Sequence, residues 1–75
     1  MSFQAYLDNI RAKTGNGPDE FRDLLEKAGL YDFDMKAATL VTWLKDEFAL
    51  GHGHSMAIWK AFKDRGWVAD PKRAG

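Results

Sequence analysis

The sequence predicts an all-α fold, a compact four-helix domain with a Gly-His-Gly-His corner between its third and fourth helices. Three observations carry the prediction. Apolar residues recur at the i, i+3, i+4, i+7 spacing of one helical face in successive segments. Glycine- or proline-containing turns separate those segments, and no stretch alternates apolar and polar residues for long enough to make a strand.

Ser2 is a good N-cap for the first helix, followed on one face by Phe3, Tyr6, Leu7 and Ile10, with Gly15 as the stop. The Gly15-Asn16-Gly17-Pro18 run is dense turn chemistry. It places Pro18 at the first position of the second helix, where its missing N–H costs nothing. Asp19 and Glu20 then favour the positive end of that helix, Phe21, Leu24, Leu25 and Ala28 form its apolar face, and Gly29-Leu30 reads as a glycine C-cap with a trailing apolar contact.

Tyr31-Asp32-Phe33-Asp34 is a short aromatic and acidic connection, its aromatics expected as lids on the core and Asp34 as the next N-cap. The third helix, about Met35 to Ala49, puts Ala37, Leu40, Val41, Leu44 and Phe48 on one arc. Trp43 falls off that arc beside Lys36 and Glu47. The fourth helix is expected to begin near His54 or Ser55, to turn Ile58, Trp59, Ala61 and Phe62 inward and to leave Lys60 and Lys63 outside. Gly66 closes it, with Trp67 and Val68 folding back on the last turn. The expected organisation is one helical domain over residues 1–68 and a short flexible basic tail over 69–75.

Seventy-five residues suit one domain, near the lower size at which a core holds a fold without disulfides or metals. A hydrophobic content of 45% is ample for such a core and argues against disorder. The chain has no cysteine, which removes disulfides and thiolate ligands and favours a cytoplasmic setting. No run of about 18 apolar residues is present to span a membrane, and the N-terminus lacks the layout of a signal peptide. Formal charge is balanced but uneven. Residues 1–35 carry four basic and seven acidic side chains, and residues 36–75 carry seven basic and four acidic. That polarity would orient the domain on an anionic partner only if the fold kept the two halves apart.

Both histidines lie in Leu50-Gly51-His52-Gly53-His54-Ser55-Met56-Ala57, and five readings compete for this corner. The plainest is structural: Gly51 ends the third helix at positive φ, Gly53 permits close packing, and His54 or Ser55 caps the fourth helix. The second is an anion site. Gly51-x-Gly53-x-x-x-Ala57 between two helices is similar to the hairpin of the helix-hairpin-helix DNA-binding motif, with His52 where an apolar residue is usual. The N–H groups of Gly53 to Met56, the imidazoles of His52 and His54, Ser55, Lys60 and Lys63 would then hold a phosphate without reading bases.

Metal binding is the third reading, but two histidines one residue apart are too few for zinc, and helical phase turns Asp46 away. Hydrolysis by His54 and Ser55 is the fourth, and it lacks an oriented third group. The fifth is partner binding through the corner and Trp43, a tryptophan on a helix flank being a reasonable anchor. The residues together point first to a small non-enzymatic interaction module, with no cofactor, no metal and no membrane contact. Phosphate-backbone or nucleotide binding through residues 51–57 is the alternative.

The chain also resembles a known family. The matching stretches are Ser2-Phe3-Gln4-Ala5-Tyr6-Leu7 with Ile10, then Lys13-Thr14-Gly15, Pro18 and Phe21. They continue in Trp43-Leu44-Lys45, Glu47-Phe48 and Leu50-Gly51-His52-Gly53-His54 with Met56-Ala57, so that nearly all of the chain to about Phe62 is covered. These are similar to the bacterial family catalogued as domain of unknown function 4287. The resemblance implies a small helical bacterial module, found alone or beside another small domain, and implies no activity, cofactor or catalytic residue.

Overall fold

A computed structural model describes residues 3–69 and contains four helices: α1 (Phe3–Thr14), α2 (Pro18–Ala28), α3 (Ala37–Phe48) and α4 (His52–Asp64). No strand occurs among the described residues. Ser2, expected as the first N-cap, and residues 70–75 of the expected tail lie outside them.

Helix α4 is the centre of the molecule, and α1, α2 and α3 each pack against it, α3 most extensively. The reason is compositional. Ser55, Ala57, Ile58, Trp59, Ala61 and Phe62 are all buried on α4, a far wider arc than the single Ile10 on α1 or Leu40 and Leu44 on α3. A helix that is apolar over most of its circumference must be surrounded. Phe21 and Leu25 of α2, Leu50 of the corner and Val68 complete the core with Ile10, Leu40, Leu44, Ile58 and Phe62. Because α4 lies among the other helices, the acidic and basic halves of the chain are not held apart. Arg65 reaches Asp19 at 2.9 Å, across 46 residues.

Turn chemistry works as expected at two helix ends. Gly15 and Gly29 both hold positive φ, at 77° and 75°. The Leu30 N–H donates to the Leu25 carbonyl at 2.9 Å, closing the second helix as a Schellman turn. Leu30 itself remains 39% exposed, so its trailing contact is partial. At the start of α2 the Gly17 N–H donates to the Glu20 carboxylate at 2.6 Å, half of a capping box, and Arg11 of α1 meets the same oxygen at 3.1 Å.

Three expectations are corrected. Asp34 does not cap α3. The Met35 N–H instead closes a turn on the Asp32 carbonyl, and the helix begins two residues later than expected, with Lys36 as an N-cap that offers no side-chain bond. Phe33 is no lid, being 52% exposed, whereas its neighbour Tyr31 donates its hydroxyl to the Trp67 carbonyl and is half-buried. Helix α4 begins at His52, not at His54 or Ser55, with extended Gly51 as its N-cap.

The end of α4 is tied down as the sequence suggests. Gly66 takes φ 73°, the Trp67 N–H donates to the Phe62 carbonyl at 2.9 Å, and the two rings meet edge to face at 5.2 Å. Arg22 of α2 sits over both Tyr31 and Trp67, at 5.6 and 4.9 Å from their ring centroids. The Ala69 N–H reaches the Phe33 carbonyl at 2.8 Å, so residues 67–69 are laced to the connection between α2 and α3.

Candidate functional site: the corner and the outer face of α3

The corner is built by a reversal at Ala49. This residue takes φ 56° and ψ 32°, and its N–H bonds back to the Leu44 and Lys45 carbonyls while the Leu50 N–H reaches Leu44 at 3.3 Å. The bond from the Ala49 N–H to the Lys45 carbonyl is the 5→1 closure of the αL cap, with alanine where glycine is usual. Leu50 is thereby driven into the core, 1% exposed, and anchors the turn between the two helices. Gly51, expected at positive φ, is instead extended at φ −71° and ψ 171°. The left-handed residue lies two positions earlier than the glycine pattern indicates.

From Gly51 the chain enters α4 directly. The Ser55 N–H donates to the Gly51 carbonyl at 2.9 Å, so the first intrahelical bond is already closed there. The N–H groups without an intrahelical partner are those of His52, Gly53 and His54, and the expected donor set from Gly53 to Met56 moves back accordingly. Gly53 does not serve close packing, since a side chain there would meet nothing within 4 Å. His52 and Gly53 are exposed, whereas His54 is half-buried with its ring edge-on to Tyr6 of α1 at 5.4 Å. Neither His54 nor Ser55 caps the helix. The Ser55 hydroxyl is fully buried and has no hydrogen-bond partner among the described residues.

The two expected lysines do not join the corner. Lys60 lies eight residues beyond His52, about 12 Å along a helix. Its Nζ is bonded to Asp64 at 2.7 Å and lies 4.8 Å from the Phe3 ring centroid. Lys63 is farther still, about 16 Å along the same axis. The cation that the corner does acquire is Lys45, on the last turn of α3. With Val41, Ala49, Leu50, Gly51 and His52 it lines an open cavity of about 530 Å³. No group of three or more His, Asp or Glu side chains placed to hold a metal occurs among the described residues.

Trp43 occupies a separate place. It is half-buried on α3 and covers the edge of α2 through Phe21. Phe21, Trp43 and Phe48 meet one another edge to face at centroid distances of 5.1 to 6.2 Å, the aromatic geometry that quadrupoles favour. The remaining face of Trp43 walls an open groove of about 470 Å³ with Leu30, Ala38, Thr39, Thr42 and Asp46. Helical phase alone put Trp43 off the apolar arc; that Leu30, just past the end of α2, would complete a groove with it was not visible, because the sequence does not state which helices touch.

No helix is long and apolar enough among the described residues to cross a membrane. No curated protein and no solved structure matches the chain. A family model does match, over residues 2–64, which takes in α1 to α4 and the whole Gly-His-Gly-His corner. On that match the chain belongs to the family described as domain of unknown function 4287.

Proposed function

We propose that this domain is a small non-enzymatic interaction module, acting in the cytoplasm, that holds a protein partner at the groove beside Trp43. The observation that carries the reading is the setting of Trp43: packed edge to face against Phe21 and Phe48, yet lining an open recess with Leu30, Ala38 and Thr42. A rigid tryptophan loses little entropy on binding and is the residue type that most often dominates interface energetics. Asp46 is the charged side chain lining the groove, which suits an apolar segment bearing a lysine or arginine. Selection of a displayed random-peptide library on the folded domain tests this. Enriched peptides should combine apolar and basic residues and should lose roughly tenfold or more in affinity for Trp43→Ala. Binders indifferent to that substitution, with the fold retained, would refute the reading.

A phosphate-bearing ligand, either a nucleic-acid backbone or a nucleotide, is the second reading, supported by the N–H groups of His52 to His54 at the exposed start of α4. The displacement of Lys60 and Lys63 from the corner removes two of the charges it counted on. A short oligonucleotide should shift the amides of His52 to His54 selectively, and added salt should abolish the effect. An apolar protein contact at Trp43 would withstand the same salt.

A further inference from the structure

The cavity at the foot of α3 differs in kind from both sites above. Its floor is apolar: Val41 is half-buried, Leu50 is buried, and Ala49 bridges them at the turn. Its polar side chains are Lys45 and His52, brought together from the last turn of α3 and the first turn of α4. No carboxylate of the described residues lines it. Among the described residues four cations are held by carboxylates, Arg11 by Glu20, Arg22 by Glu26, Lys60 by Asp64 and Arg65 by Asp19. Lys45 has no such pairing among the described residues, although Asp46 and Glu47 follow it directly in sequence.

An apolar recess of about 530 Å³, within the usual size of small-ligand sites, whose polar rim is made of nitrogen donors, has a definite chemical complement. We propose that this cavity binds a monocarboxylate with a short apolar body, its carboxylate between Lys45 and His52 and its hydrocarbon part against Val41, Ala49 and Leu50. A bare inorganic anion would leave the apolar floor unused, and a neutral alcohol would leave the ammonium without its partner. The inference stands apart from the phosphate reading, since it rests on the floor and on Lys45, neither of which that reading employs.

Amide shift titrations of the full chain with hexanoate, hexanol and inorganic phosphate test it. Hexanoate should give saturable shifts centred on Lys45 and residues 49–52, with hexanol and phosphate each binding about tenfold more weakly. Lys45→Gln, an exposed substitution that leaves the core untouched, should weaken hexanoate roughly fivefold while the rest of the spectrum is unchanged. A free acid and the end of a peptide chain offer the same carboxylate. A peptide with a free C-terminal leucine, set against its amide, tells which source the cavity accepts, and either acid binding supports the proposal. Equal binding of hexanol and hexanoate would overturn it, as would phosphate matching hexanoate, indifference to Lys45→Gln, or shifts centred elsewhere. Phosphate matching hexanoate would at the same time favour the anion reading of the corner.

Discussion

Ala49 is the residue whose conformation departs most from what its side chain prefers. A left-handed backbone costs an L-residue about 1 kcal/mol relative to glycine, and here that cost is accepted at the turn that delivers Leu50 to the core. Ala49→Gly should therefore stabilise the domain by up to about 1 kcal/mol, read as a rise in melting temperature. Gly51→Ala makes the paired test. Gly51 is extended, and a side chain there would meet nothing within 4 Å, so the substitution should change stability by less than about 0.5 kcal/mol. A large loss at Gly51 together with no gain at Ala49 would place the left-handed residue where the glycine pattern puts it, and the description of the corner would fall.

Among the elements, α2 has the best-defined start. A side chain at Gly17 would meet the Arg11 guanidinium, the free-swinging end of an exposed side chain, and would displace it from its ion pair with Glu20. The Glu20 carboxylate that accepts the Gly17 N–H is held below its ordinary value of 4.5, chiefly by that backbone bond; desolvation opposes it, and the charge of Arg11, a lesser effect, lowers it further. A carboxyl group with a lowered folded-state pKa stabilises fully above its unfolded value and loses that contribution as pH falls through the folded one. The difference in melting temperature between the wild type and Glu20→Ala should thus be constant from about pH 7 to about pH 5, then narrow as acid protonates the carboxylate. A gap unchanged down to about pH 2 would mean that the carboxylate charge is not what Glu20 contributes.

At the scale of the molecule, stability is concentrated in the seam between α3 and α4. A chain of this length has roughly 4 to 11 kcal/mol of folding free energy in all. Leu44 is fully buried in that seam, and Leu44→Ala should cost about 2 to 5 kcal/mol, enough to leave the domain marginal at room temperature. The same architecture orders the local opening reactions. Amides of residues 58–62, on the helix that the other three surround, should exchange with solvent only through global unfolding, while those at the start of α1 exchange faster by local fraying. Equal protection along α1 and α4 would contradict a central α4.

The sequence alone settled the helix count, the turns at Gly15, Gly29 and Gly66 and the inward residues of α4, because each is written in local spacing and in backbone chemistry that acts within a few residues; the resemblance of its motifs pointed to the family that the model match shows. It misjudged the ends that lack such chemistry: Asp34 against Lys36, Gly51 against Ala49, and the start of α4. There, packing of Leu50 into the core outweighed the preference for glycine at a left-handed position. Which residues share a surface was decided only by the tertiary structure. Lys45 and His52 line one cavity across a turn, Leu30 and Trp43 line one groove, and Lys60 is drawn to Asp64. Those pairings follow from how four helices bury one apolar volume, and helical periodicity fixes which face a residue takes but not which neighbour that face will find.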